Sequence, residues 1–140
     1  MSESTISKLD ELKIQTQNLG KAYRELFPKV DPAFVYDLIL RLSENSANNT
    51  PVYTVEVFTK EGINPEKSKE RILQTTGTVP AIYDNGTHYV STQHMSLEML
   101  KKLNDIDYVL EVMGDYTGGA SSIGPRHDKG DWKRIRDRSQ

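Results

Sequence analysis

Three histidines, His88, His94 and His127, are the residues of this chain best suited to acid–base or metal chemistry. His88 and His94 flank one predicted strand, and a metal site there needs both to converge with acids such as Asp84 or Glu98. Their spacing does not require that convergence, so we interpret both as surface histidines. His127 lies in a polar C-terminal stretch, where metal binding is less favoured still. These residues therefore predict no metal site and no cofactor.

The chain contains no cysteine. This excludes disulfides, thiol redox catalysis, cysteine nucleophiles and cysteine-ligated zinc. The sequence also has no glycine-rich phosphate-binding loop and no Gly-x-Ser-x-Gly nucleophile motif. We therefore predict no catalytic residue, and we expect a protein that binds a partner and is not an enzyme.

Composition sets the broad class of the protein. The 140 residues are long enough for one domain with a buried core, but only 36% of them are hydrophobic. Part of the chain should therefore lie outside the core. The sequence has no apolar run that would span a bilayer and no secretory signal at its start. We expect a soluble, cytoplasmic protein with no membrane partner.

Two helices are predicted within residues 1–48. Apolar residues of the first helix, over residues 5–27, recur roughly at helical spacing: Ile6, Leu9, Leu12 and Leu19. Pro28 ends this helix. Asp31-Pro32 begins the second one, with Asp as the N-cap and Pro at the first helical position. We predict that residues 1–48 form a helical N-terminal arm, and that the chain self-associates into an oligomer through this arm or through a sheet edge.

The core domain is predicted over residues 52–116, in the order strand, helix, strand, strand, helix, strand. Its helices begin at Asn64-Pro65 and at Ser96, and its central hairpin turns at Asn85-Gly86. Residues 106–116 fit one face of a helix or of a strand, and their β-branched and aromatic content favours the strand.

This order of elements resembles the ferredoxin-like βαββαβ fold of heavy-metal-associated, ACT-type and RNA-recognition domains. The resemblance implies an α+β protein whose antiparallel sheet has both core helices on one face. It also implies that Phe58 on the first strand, with His88 or Tyr89 on the third, would take the place of the aromatic residues that stack on RNA bases. RNA or nucleoprotein binding is therefore one predicted function.

A second segment, Thr78-Val79-Pro80, resembles the cis-proline loop of glutaredoxins and of glutathione transferase N-terminal domains. This alternative implies a thioredoxin-like α/β fold. Val79, before Pro80, would pair its backbone with a bound peptide or glutathione, and Thr92 would lie near the γ-glutamyl group. Without a cysteine, such a protein would be a redox-inactive ligand or peptide binder. A strand at 106–116 would favour the first resemblance, and a terminal helix would favour the second.

Residues 117–140 are predicted to be a flexible basic tail. Six basic and three acidic residues give positions 118–140 a formal charge of +3, and the only tryptophan lies among them. One interpretation is a solvated tail. In the other, Trp132 anchors on a protein or RNA partner while Lys133, Arg134 and Arg136 meet an acidic surface or phosphates. Our first functional hypothesis is a small regulatory or interaction module that self-associates.

Overall fold

The computed structural model describes residues 2–44, 50–118 and 124–132. The elements follow one another as α1 (Glu3–Leu26), α2 (Pro32–Glu44), β1 (Val52–Thr59), α3 (Pro65–Thr76), β2 (Ala81–Tyr83), β3 (His88–His94), α4 (Leu97–Asn104) and β4 (Val109–Tyr116). Among the helices in these ranges, none combines the length and the hydropathy needed to cross a bilayer.

The four strands form one antiparallel sheet in the order β2-β3-β1-β4. This is the strand order of a ferredoxin-like βαββαβ core, so the predicted α+β class is confirmed. β4 lies within residues 106–116 and pairs with β1, which makes the thioredoxin-like alternative wrong. The Val79-Pro80 bond is trans, since the described residues include no cis peptide bond.

Local signals set the ends of the core helices. The Asn64 side chain accepts a hydrogen bond from the Glu66 N–H at 2.9 Å, and Gly77 ends α3 with a φ of 79°. Ser96 caps α4 in the same way. The Asn-Gly turn is longer than a two-residue hairpin loop, because Asp84–Gly86 form a short 3-10 turn between β2 and β3.

One face of the sheet, the helix face, packs against α2, α3 and α4. Alternate residues of β1 point to this face as predicted, namely Tyr53, Val55 and Val57. The helices contribute large apolar side chains to the same core: Phe34, Leu38, Ile72, Leu100 and Leu103. The helix α2 thus shares the core of the sheet, whereas α1 projects from it with none of its residues fully buried.

The opposite face of the sheet, the tail face, is covered by the C-terminal segment, residues 124–132. Trp132 is only 5% exposed and clusters with Phe58 of β1 and Met113 of β4. The prediction of a mobile tail is therefore wrong for this segment. Its charge and glycine content suggested solvation, but an outward-facing Phe58 on the sheet favours a large apolar cover.

Candidate functional site

The candidate site lies on the tail face, where the C-terminal segment crosses β1 and β4. Directly paired residues of antiparallel strands point to the same side of a sheet. The pairing of Phe58 with His88 and Glu111, and of Thr54 with Asp115, therefore puts these side chains on one face. Glu56 shares it, because it lies two residues from both Thr54 and Phe58. The strands thus place three acids, Glu56, Glu111 and Asp115, together with the ring of His88 on the tail face.

Glu56 is fully buried, and one of its oxygens is the hub of the site. Its Oε1 lies 3.0 Å from His88 Nε2 and accepts hydrogen bonds from the backbone N–H groups of Arg126, at 3.0 Å, and His127, at 3.3 Å. Burial raises the pKa of Glu56, but these hydrogen bonds outweigh it and hold the pKa below its usual value. The other oxygen, Oε2, has no hydrogen-bond partner among the described residues.

His88 lies between two carboxylates. Its Nε2 is 3.0 Å from Glu56 Oε1, and its Nδ1 is 3.0 Å from Asp84 Oδ2. Burial lowers the pKa of His88, but pairing with these two acids raises it above its ordinary value. The ring also stacks on Phe58, with centroids 4.2 Å apart. The prediction of a surface histidine is therefore wrong for His88, because strand pairing turns it inward beneath the C-terminal segment.

His94 and His127 have different surroundings. His94 is exposed, as predicted, and its Nδ1 lies 2.8 Å from the carbonyl oxygen of Thr50. His127 is brought onto the tail face, where its Nε2 lies 2.6 Å from Asp115 Oδ2 and 3.8 Å from Glu56 Oε2. Glu56, Asp115 and His127 each offer an atom to one group that could hold a metal ion. The sequence does not reveal this group, because its members are far apart in the chain.

Further contacts hold the C-terminal segment along its length. The Gly130 N–H donates a hydrogen bond to Glu111 Oε1, and Lys129 Nζ donates one to the carbonyl oxygen of Thr59 at 2.9 Å. Together with the bonds to Glu56 and the burial of Trp132, they attach the segment to both β1 and β4. A lone Trp in a polar stretch was the only sequence signal for this docking.

The aromatic surface predicted for RNA is not formed. Phe58 is fully buried under the C-terminal segment. Tyr89 pairs with Val57 and so lies on the helix face, where its hydroxyl donates to the carbonyl oxygen of Gly86 at 2.8 Å. The two rings thus occupy opposite faces of the sheet. The tail face also carries buried acids, which repel phosphates.

The remaining predicted site residues are scattered. Val79 is 58% exposed, whereas Pro80 next to it is buried. Thr92 lies on β3, and its hydroxyl is 3.1 Å from that of Thr54 on the tail face. The basic residues predicted to contact a partner, namely Lys133, Arg134 and Arg136, fall outside the described residues, so that contact stays a prediction.

Two surfaces of this chain are therefore candidates for function: the exposed helix α1 and the acidic tail face with its docked segment. A scan against protein-family models gives no match, and searches of curated proteins and of solved structures give no significant match.

Proposed function

We propose that this protein is a non-enzymatic interaction module that self-associates through α1. The supporting observation is that α1 runs for 24 residues and has no fully buried residue. Helices in water draw most of their stability from the packing of an apolar face. A helix of this length with exposed apolar side chains therefore gains stability by packing against a partner.

Four leucines, one threonine and one tyrosine of α1 form a seam with alternating spacings of three and four residues. Its members are Leu9, Leu12, Thr16, Leu19, Tyr23 and Leu26. This is the spacing of the a and d positions of a coiled coil. The leucines at 9, 12, 19 and 26 are 44%, 58%, 48% and 54% exposed. Thr16, the hydroxyl-bearing aliphatic member, donates to the carbonyl oxygen of Leu12 at 2.8 Å, so its hydroxyl is satisfied within the helix.

The partner that fits this seam is a second copy of the chain. Residues 3–13 hold three acids and two bases, a net charge of −1, while residues 14–26 hold one acid and two bases, a net charge of +1. Two antiparallel copies of α1 therefore place opposite charges side by side. The same arrangement sets Leu9 against Leu26 and Leu12 against Tyr23, which pairs a positions with d positions.

Residues of α2 add to the surface that lies beside the seam of α1. A groove of about 490 Å³ lies between α1 and α2, with Leu19, Tyr23 and Tyr36 among its lining residues. Tyr36 is 54% exposed. A second α1 helix lying along the seam would cover this groove, so the association would bury apolar surface of both helices.

Sedimentation equilibrium of two matched variants tests this proposal. Leu12→Lys changes a seam residue that is 58% exposed, and Ile14→Lys changes a residue outside the seam that is 57% exposed. We expect a dimer for the wild type and for I14K, and a monomer for L12K. A wild type that stays monomeric at all concentrations, or an I14K variant that dissociates as readily as L12K, would overturn the proposal.

A further inference from the structure

We propose that Glu56, Asp115 and His127 bind one divalent transition-metal ion of the Zn²⁺ type. The three residues come from β1, β4 and the C-terminal segment. One carboxylate oxygen from each acid and one ring nitrogen of the histidine all lie within 4.8 Å of one another. Mixed imidazole and carboxylate ligands suit Zn²⁺, which binds four ligands tetrahedrally and often keeps water as the fourth.

Two distances between the donor atoms bracket the spacing expected for such a site. His127 Nε2 lies 2.6 Å from Asp115 Oδ2 and 3.8 Å from Glu56 Oε2. Zinc bonds of about 2.0–2.2 Å place neighbouring tetrahedral ligands roughly 3.3–3.5 Å apart. The two observed distances lie on either side of that value. Because the side chains of His127 and Asp115 are 26% and 32% exposed, they can rotate to reach it without repacking the core.

Glu56 Oε2 independently points to a cation. This oxygen is buried and has no hydrogen-bond partner in the described part of the chain, and its neighbour across the site is the His127 ring. A buried polar atom without a partner is costly. The other oxygen of Glu56 is held by His88 and two backbone amides, which fixes the carboxylate and keeps Oε2 directed into the site.

The surroundings of His127 and the local charge favour a bound cation. His127 Nδ1 lies 3.8 Å from Asp131 Oδ2, and metal-binding histidines commonly direct their second nitrogen to a carboxylate. The acids in contact with His88 or His127 are Glu56, Asp84, Asp115 and Asp131. With His127 neutral as a metal ligand, the four acids and a protonated His88 carry a net charge of about −3, and a divalent ion would reduce it to about −1. It would also fasten the C-terminal segment to the sheet.

The proposal is tested by measuring how the full chain binds zinc after a chelator has removed any bound metal. Titration calorimetry measures the affinity, and elemental analysis measures the number of ions per chain. We expect one Zn²⁺ per wild-type chain. The ligand variants His127→Gln and Asp115→Asn should weaken binding roughly tenfold or more. Matched controls are His94→Gln and Asp105→Asn, because His94 lies at the far end of β3 and Asp105 pairs with Lys101 on α4. Both controls should bind like the wild type.

The fluorescence emission of Trp132 distinguishes a variant that has lost only metal binding from a variant whose C-terminal segment no longer packs on the sheet. The amide introduced by D115N keeps an oxygen that can accept a hydrogen bond from His127, so this variant should keep the buried emission of Trp132 while its affinity for Zn²⁺ falls. Co²⁺ should give a tetrahedral visible absorption band in the wild type and not in D115N. A wild type that binds no Zn²⁺, a preference for Mg²⁺ over Zn²⁺, or binding that survives both ligand variants would overturn the proposal.

Discussion

The carboxylate of Glu56, in the middle of β1, accepts a hydrogen bond at 3.0 Å from the backbone N–H of Arg126, 70 residues further along the chain. This bond and the burial of Trp132 hold the C-terminal segment over part of the sheet face that the helices leave open. The chain itself thus occupies this surface, and α1 carries six of the eleven large hydrophobic side chains that are exposed among the described residues.

The docking of the C-terminal segment predicts a large effect of Trp132→Ala. Trp132 is 5% exposed and packs in a cluster with Phe58 and Met113. Removing the indole should lower the free energy of unfolding by about 3 kcal/mol, measured by urea denaturation. Val79→Ala removes an apolar side chain that is 58% exposed and should change it by less than about 0.5 kcal/mol. Equal effects of the two variants would contradict the docked position of Trp132.

The hub role of Glu56 predicts that its charge stabilises the fold even without metal. Glu56→Gln keeps the shape of the side chain but removes charge-assisted hydrogen bonds to His88 and two amides. In chelator, the free energy of unfolding should fall by about 2 kcal/mol. The control Glu70→Gln alters an exposed acid on α3 and should cost under about 0.5 kcal/mol. An E56Q variant with the same free energy of unfolding as the wild type would show that the carboxylate does not hold the segment.

Two glycines in different surroundings, Gly114 on β4 and Gly20 in α1, predict opposite effects of substitution by alanine. A Cβ atom at Gly114 would lie 2.4 Å from Cζ of the buried Phe34 ring, so Gly114→Ala should cost about 1–3 kcal/mol. At Gly20 in α1 the nearest atom is 3.4 Å away, at the flexible end of Arg24. Gly20→Ala should therefore stabilise α1 by about 0.5–1 kcal/mol. Thermal unfolding of both variants checks the signs, and a stabilising G114A would contradict the packing of α2.

The heptad seam predicts that Thr16 limits the strength of self-association. Thr16→Leu places a larger apolar side chain in the seam and should lower the dimer dissociation constant roughly tenfold, because each copy buries additional methylene groups. Gln17→Leu adds the same side chain one position outside the seam and should leave the constant nearly unchanged. Sedimentation equilibrium measures both. Equal tightening by the two leucines would indicate nonspecific apolar association.

The sequence alone predicted the elements whose ends are set by local chemistry. Asn64-Pro65, Gly77 and Ser96 mark helix ends through caps and backbone angles that depend on a few neighbouring residues. The alternation in β1 likewise predicted which residues face the helices, and the content of residues 106–116 predicted the last strand. Local signals were sufficient here because neighbouring residues determine these preferences.

Only the tertiary structure decided which residues meet on the tail face. The sequence left open whether His88 or Tyr89 faces outward, and our prediction favoured Tyr89, because alternation gives the period of a strand but not its phase. Pairing with β1 set that phase, and it buried Tyr89 against the helices. The docking of Trp132 was likewise beyond composition, because a charge count over the tail cannot show that one indole fits between Phe58 and Met113. Both outcomes depend on contacts between residues far apart in the chain, and such contacts are decided by the shape and register of the folded sheet.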